Sequence, residues 1–327
     1  MQDSGSDMDW DTLEIDLSNI DIENSTYRIT TEPSIEPLVA SIGALGLLNP
    51  PFLFRKSDSN YIIISGFQRV AACQHLGHPS IRGRLINPDI PLERLAEMAI
   101  CENSSQRPLN LVETSRSLNL LTRYIDDRTK LEQCFQRLGL PNHSSMRDKI
   151  MRICEMPIAI QDGILEGAIS LNTALQLDDL DAETGLSLTD IFRNLHLSHS
   201  KQREILTNLI EVALRDKVRP ATLLHETVFQ TLLSDPETSL PQKANNVRNY
   251  LRSKRFPRLT LAEETFRKET KKLSLGDKVR LQAPAGFESP EYVFAVSIKK
   301  LYDLDESINI LQNAMHNPAL KKILSRN

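Results

Sequence analysis

The apolar run Tyr61-Ile62-Ile63-Ile64 ends at Ser65-Gly66 and passes at once into Phe67-Gln68-Arg69-Val70-Ala71-Ala72. A buried strand that meets a glycine and becomes a helix within one residue needs a sheet and a helix layer beside it, which predicts an α/β domain. The same junction aims free backbone N–H groups and the positive end of a helix at one point. A phosphate fits there, Gly66 lets it approach closely, and Arg69 in the first turn adds a charged fork. An ordinary strand–helix connection has the same local sequence, so the string needs context.

The flanking sequence extends the α/β pattern. Pro33 stands where a helix begins, and Ile35, Leu38, Val39, Ile42 and Leu45 follow at helical spacing up to Gly46. Phe52-Leu53-Phe54 reads as a strand and Ser57-Asp58-Ser59-Asn60 as the turn into 61–64. A strand at 81–86 and a helix from Pro91 toward Glu102 complete the domain. After Pro108 the periodicity is helical for roughly a hundred and fifty residues. Asn110 with Glu113 forms a capping-box signature there. Helices are predicted at 128–138, 144–155, 158–166, 170–180, 187–195, 200–215, 221–233 and 242–253. Arg255-Phe256-Pro257-Arg258 breaks the pattern and marks a boundary. Thr260 with Glu263 starts another helix, to about Leu273, before strands near 278–282 and 291–298 and a helix from Leu304 to Met315.

Twelve glycines in 327 residues, with Leu and Ile at helical spacing, agree with an α+β chain that is mostly helical. The expected organisation is an acidic, disordered or partly ordered tail over 1–25, an α/β domain over 26–108, a helix-turn-helix domain over 109–186, a helical region over 187–258 and a small α+β unit over 259–327. No run of about eighteen apolar residues occurs, and the first residues lack the basic and apolar segments of a signal peptide. Cys73, Cys101, Cys134 and Cys154 lie far apart without C-x-x-C spacing, which fits a reducing cytoplasm better than a disulfide framework or a zinc ribbon. His196-x-x-His199 lacks a third ligand, and Cys73, His75 and His78 are only loosely clustered.

The net charge of −4 conceals an uneven distribution. Eight acidic and no basic residues precede Arg28, whereas 242–280 carries twelve Lys or Arg against four Asp or Glu. The second stretch is read as a surface for a polyanion, with a solvated helix face as the plain alternative. A sharper candidate is the helix pair 128–138 and 144–155. Met146, Ile150 and Ile153 form an apolar stripe on the second helix. Ser144 and Ser145 cap it. Ser145, Lys149 and Arg152 share another face, with Arg147 flanking, which suits a major groove. A second string, Cys101-Glu102-Asn103-Ser104-Ser105-Gln106-Arg107, places a carboxylate beside a carboxamide. These are hard oxygen ligands for a magnesium ion shared with phosphate.

Taken together, these strings resemble the ParB/Spo0J/Noc-type partition proteins. The resemblance rests on Arg28, on Gly46-Leu47-Leu48-Asn49-Pro50, on Gly66 to Ala72, on Glu102-Asn103 and on Leu109-Asn110-Leu111-Val112-Glu113. It continues through Met156-Pro157, Ile164 to Gly167 and Ile169-Ser170, covering roughly 26–180. It implies a ParB/sulfiredoxin-like α/β domain and a helix-turn-helix. It also implies CTP held with magnesium by Gly66, Phe67, Gln68, Arg69, Glu102 and Asn103, with Glu102 and Asn103 on the metal. DNA would meet Ser144, Ser145, Arg147, Lys149 and Arg152. Further implications are a homodimer, a ParA-type ATPase partner, no membrane, a nucleoid-associated cytoplasmic location and a role in chromosome or plasmid segregation, with at most slow CTP hydrolysis.

Two departures bear on the nucleotide. Phe67 and Gln68 stand where the family has an acid and a first arginine, and Gln106 stands where it has an arginine, with Arg107 displaced by one. Binding is expected and hydrolysis is not. Two other functions compete: a transcription regulator without nucleotide binding, and a small-molecule kinase on the same fold using a carboxylate such as Glu36. Sulfiredoxin chemistry needs a cysteine directly after the box glycine, where this chain has Phe67.

Overall fold

The computed structural model describes residues 10–31, 34–57 and 59–325, which form two compact units, Met1–Asn194 and Leu195–Asn327. Pro33, Asp58 and the first nine residues of the acidic segment lie outside the described residues.

The first unit opens with β1 (Asp11–Asp16), β2 (Ile20–Asp21), α1 (Glu36–Leu45), β3 (Phe52–Ser57), β4 (Asn60–Ser65), α2 (Phe67–His75), β5 (Ser80–Ile86) and α3 (Leu92–Gln106). The strands make one mixed sheet in the order β1-β5-β3-β4-β2. Strand β4 is buried along almost its whole length, as its apolar run requires. Ile42, Leu53, Ile63, Val70, Cys73 and Ile81 share the core between sheet and helices.

Within the acidic segment, read from sequence as a disordered or partly ordered tail, residues 11–16 and 20–21 form strands. Strand β1 pairs antiparallel with β5, setting Glu14 opposite Arg82 and Thr12 opposite Arg84. Ile15, Leu17 and Ile20 are buried, and Trp10 meets the Phe52 ring edge-on at 5.0 Å. A segment that looks too acidic by itself gains apolar cover and opposite charges from a strand about seventy residues away.

Helices α4 (Leu111–Tyr124), α5 (Arg128–Arg137), α6 (Ser144–Met151), α7 (Ile158–Leu165), α8 (Leu171–Asp178) and α9 (Ala182–Asn194) follow. The expected capping box starts α4: the Asn110 side chain accepts from Glu113 N at 2.9 Å and the Glu113 carboxylate accepts from Asn110 N at 3.1 Å. The helix expected over 144–155 is shorter, because residues 152–155 tighten into a 3-10 turn before Met156-Pro157. Ile150 and Ile153 are buried, whereas Met146, expected beside them, is exposed.

The second unit comprises α10 (His199–Asp216), α11 (Pro220–Leu224), α12 (Thr227–Ser234), α13 (Leu240–Arg255), α14 (Pro257–Lys272), β6 (Val279–Gln282), β7 (Val293–Val296), α15 (Leu301–His316) and α16 (Pro318–Leu324). The region expected as one helix over 221–233 is two, divided at His225-Glu226. The break at 255–258 does not end a unit. Pro257 takes the first position of α14 immediately after α13, where its missing N–H costs no helical bond. Thr260 therefore lies inside α14, its hydroxyl donating to Phe256 O at 3.0 Å, and does not cap it. A small core of Leu273, Leu275, Val279, Leu281, Leu320 and Ile323 joins the β6–β7 hairpin to α14 and α16.

Candidate functional site

Gly66 ends β4 with φ +99°, and a Cβ there would stand 2.7 Å from Pro51 Cβ and 3.0 Å from Arg69 Nε. Both the backbone sign and the space demand glycine. Phe67 is buried in the domain core directly after it, so the turn has a fixed floor. Arg69, one turn into α2, sends Nη2 to Glu102 Oε1 at 2.7 Å and Nη1 to Asn49 O at 3.1 Å. Glu102 also accepts from Gln106 Nε2 at 3.0 Å and from the Ser65 hydroxyl. The structure thus brings Gly66, Arg69 and Glu102 into one knot. The charged fork expected to meet a phosphate is directed at the carboxylate expected to meet a metal. Asn103 is tied down as well, its amide donating to Ala99 O at 2.7 Å, which leaves its oxygen as the free ligand atom. Among the described residues no three His, Cys, Asp or Glu side chains converge as a metal site.

Arg107, the cation nearest that pair in sequence, is committed elsewhere. It makes two parallel bonds to Glu113, Nη1 to Oε2 at 2.7 Å and Nη2 to Oε1 at 2.6 Å. Glu113 is fully buried and also accepts from Thr31 N at 3.1 Å. Burial pushes its carboxyl up, but the hydrogen bonds from Arg107, Asn110 N and Thr31 N outweigh that and hold it below the usual carboxylate range.

Positive charge collects instead in a cavity of about 670 Å³ between the loop at 23–29 and α4, lined by Arg28, Arg116, Asn119, Arg123 and Cys154. Arg28 joins the cavity to the glycine turn, because its guanidinium lies 5.6 Å from the centre of the Phe67 ring. Arg116 donates to Thr30 O at 2.7 Å and holds the loop against the helix. Arg116 and Arg123 escaped the sequence reading. Their seven-residue spacing puts them on one face of α4, but neither lies in a motif.

An adjoining face of α4 holds the end of α6, the second helix of the α5–α6 pair. The Ser115 hydroxyl donates to Met151 O at 3.0 Å, and Asn119 Nδ2 donates to the same oxygen at 2.9 Å. Cys154 N returns a bond to Ser115 Oγ at 3.0 Å. Asn119 and Cys154 therefore border the cavity and fasten the end of α6.

On α6 the expected DNA-facing residues separate into two groups. Ser144, Ser145 and Lys149 are exposed, and Lys149 makes no ion pair or hydrogen bond among the described residues. Arg147 is only 6 % exposed. It donates to Asn142 O at 2.7 Å and Pro141 O at 3.1 Å, pairs with Glu132 and lies over the Phe135 ring at 4.8 Å. It staples the turn and does not flank a groove. Arg152, in the 3-10 turn, pairs with Asp178 at 2.7 Å and Asp179 at 2.6 Å. No open Ser145–Lys149–Arg152 stripe forms, because Arg152 is committed to Asp178 and Asp179. Half of the twelve cations in the basic stretch 242–280 are neutralised: Arg248, Arg252, Lys254, Arg255, Lys272 and Lys278 all pair with carboxylates, several of them distant in sequence.

Residues 2–104 match the family model described as the ParB N-terminal domain, so the α/β domain that carries the glycine turn is of that class. The chain is 30 % identical over 159 residues to a probable chromosome-partitioning protein ParB of Helicobacter pylori, covering 48 % of this chain and 51 % of that protein. It is 27 % identical over 198 residues to a nucleoid occlusion protein of Bacillus thuringiensis, covering 59 % and 66 %. Residues 2–104 thus belong to the ParB N-terminal domain family, and the chain is similar over a longer stretch to ParB-type and nucleoid occlusion proteins. It spans about half the length of the ParB relative it matches. Among solved structures, a C-terminally truncated Caulobacter crescentus ParB complexed with CTP-γ-S aligns at 19 % identity and a TM-score of 0.27, over 56 % of this chain and 99 % of that one. Among the described residues no helix is long and apolar enough to cross a membrane.

Proposed function

We propose that this protein binds double-stranded DNA through α6 and acts in chromosome or plasmid segregation, with CTP as the switch. One observation carries the reading: α4 presents Arg116, Asn119 and Arg123 to the cavity, and through Asn119 and the neighbouring Ser115 it holds Met151, the last residue of α6. A triphosphate brings several negative charges, and Arg28, Arg116 and Arg123 supply the offset that the missing family arginines do not. Gly66, Phe67, Gln68 and Arg69 do not line this cavity but adjoin it through Arg28 over the Phe67 ring, and would meet the phosphates from that side. A ligand in the cavity borders Asn119 and Cys154, so the seat of α6 responds to occupancy.

Magnesium would draw on Glu102, on the Asn103 oxygen and on the nucleotide phosphates, and would supply charge neutralisation there. Glu102 fits this role only if Arg69 releases it, since both of its oxygens are already engaged. DNA would meet Ser144, Ser145 and Lys149, with Arg147 shaping the turn and Arg152 bracing the following segment. The chain would act as a homodimer in the cytoplasm on the nucleoid, with a ParA-type ATPase as partner.

Sequencing the genomic fragments retained by the purified protein, with and without CTP, tests this. Enrichment of one short site whose recovery shifts severalfold with CTP is expected. Enrichment identical in both arms would favour a regulator that has lost nucleotide binding, a reading supported by the closed Arg69–Glu102 pair. No enrichment at all would remove both. The kinase reading gains nothing, because Glu36 is exposed and already takes the Ser34 hydroxyl.

A further inference from the structure

The second unit contains a larger cavity, of about 950 Å³, bounded by α14, β6 and the 274–287 segment. Phe266, Leu275, Leu281 and Phe287 give it an apolar lining, and Phe266 and Phe287 meet edge-on with ring centres 5.8 Å apart. Arg267 and Lys271, one turn apart on α14, and Arg280 on β6 also line it. The cations around them are satisfied: Arg252 by Glu263, Lys272 and Lys322 by Glu269, Lys278 by Asp303 and Glu306. Arg267, Lys271 and Arg280 make no ion pair or hydrogen bond among the described residues. Lys271 and Arg280 have no carboxylate at ion-pair distance, and Arg267 feels only Glu263, a lining carboxylate already bonded to Arg252, so the three cations leave net positive potential beside an apolar wall that strengthens it.

Two further features mark the place. Thr270 lines the cavity, and its hydroxyl, shielded from solvent, has no hydrogen-bond partner. Ser274 and Phe287 hold φ of +48° and +57°, two of four non-glycine residues in left-handed backbone among those described, and both line this cavity. Such conformations persist where the surroundings over-determine them, which is common around ligands.

We infer that this cavity binds an amphiphilic organic anion, its phosphate, carboxylate or sulfonate head on Arg267, Lys271 and Arg280 and its apolar body against Phe266, Leu281 and Phe287. The volume lies in the range that holds drug-sized molecules. The inference is independent of the nucleotide site in the first unit.

The probe is 1-anilinonaphthalene-8-sulfonate, titrated into the full-length protein by fluorescence and mapped by hydrogen exchange. Saturable binding with protection over 266–287 is expected. Affinity should fall at least tenfold in the Arg267→Ala/Lys271→Ala/Arg280→Ala variant, whose exposed positions leave the fold intact, as an unchanged Tm would verify. The uncharged N-phenyl-1-naphthylamine should bind at least tenfold more weakly than the sulfonate. Equal affinity in the triple variant, equal binding of the neutral analogue, or protection confined to 301–316 would each overturn the inference. So would stoichiometric displacement by duplex DNA that protects the same segment, which would assign the three cations to a phosphate backbone.

Discussion

Arg69 Nη2 lies 2.7 Å from Glu102 Oε1, joining the first turn of α2 to the last turn of α3. The two most informative strings of the sequence are thereby partners of each other before any ligand arrives. Both side chains are mostly covered, 16 % and 20 % exposed, so the contact is worth more than a surface ion pair. Arg69→Ala should therefore lower stability without any nucleotide present, by about 1.5–3 kcal/mol, the usual scale for a hydrogen bond to a charged group. Thermal denaturation of the ligand-free protein reads this directly. A variant as stable as the parent but blind to CTP would assign the arginine to the ligand alone.

The cavity arginines separate binding from folding. Arg123 makes no hydrogen bond or ion pair among the described residues, whereas Arg116 holds the 29–30 carbonyls. Arg123→Ala should weaken CTP binding about tenfold, a lost charge-assisted contact, with Tm unchanged. Arg116→Ala should weaken binding and lower Tm together. Calorimetry with each of the four common triphosphates, with and without magnesium, measures both the effect and the base preference. No heat from any of them at millimolar concentration would retire the nucleotide.

On α6, neighbouring cations should behave oppositely. Lys149→Ala should lower the slope of log affinity against log salt by about one, as loss of one phosphate contact does, at constant stability. Arg147→Ala should unfold the turn, because it removes bonds to two backbone carbonyls and to Glu132. Filter binding across a salt series, beside melting curves, distinguishes them. A salt slope unchanged by Lys149→Ala would take α6 out of the groove.

The sequence was most legible where a pattern was local. The Gly66 junction and the Asn110–Glu113 box each depend on residues a few positions apart. Charge was least legible, because its partners are remote. Arg248 finds Glu204 and Lys254 finds Glu226, so part of the apparent excess over 242–280 is cancelled in three dimensions by remote carboxylates. The acidic start likewise forms a strand by pairing with β5, about seventy residues away, where Glu14 stands opposite Arg82 and Ile15 is buried. Arg147 shows the limit from the other side: helical spacing put it beside Lys149, but only the turn at 138–143 could decide that it folds inward.

Glu113 ties stability to pH. Its carboxyl is held below the usual range in the folded chain, so its contribution is complete at neutral pH. That contribution is lost as pH falls below the ordinary carboxylate value and through the lowered folded one. Glu113→Gln should reduce stability at pH 7 and flatten the acid limb of the stability profile. Denaturant titrations from pH 7 to pH 3 report this. A parallel downward shift at all pH values would mean that the amide merely packs badly and that the charge is not what Arg107 holds.

Self-association should run through α15. Leu301, Leu304, Ile308, Leu311 and Met315 recur at alternating intervals of three and four, the spacing of a coiled-coil seam. Leu311 packs on the small core of its own unit, but Leu301 is 81 % exposed and Met315 58 %. A sixteen-residue helix rises only about 24 Å, too short for a lone coiled coil. Here it is already folded against the β6–β7 unit, so pairing need not bear the cost of forming it. A small core with an apolar stripe left outside is the situation a twofold partner relieves. Ile308→Asp places a charge in the middle of the stripe on a residue that is 44 % exposed, so it should spare the fold and disrupt the pair. Light scattering should report a dimer for the parent at tens of micromolar and a monomer for the variant, with equal Tm for the monomeric fold at low concentration. A parent that is monomeric at that concentration would leave the α15 stripe without this role.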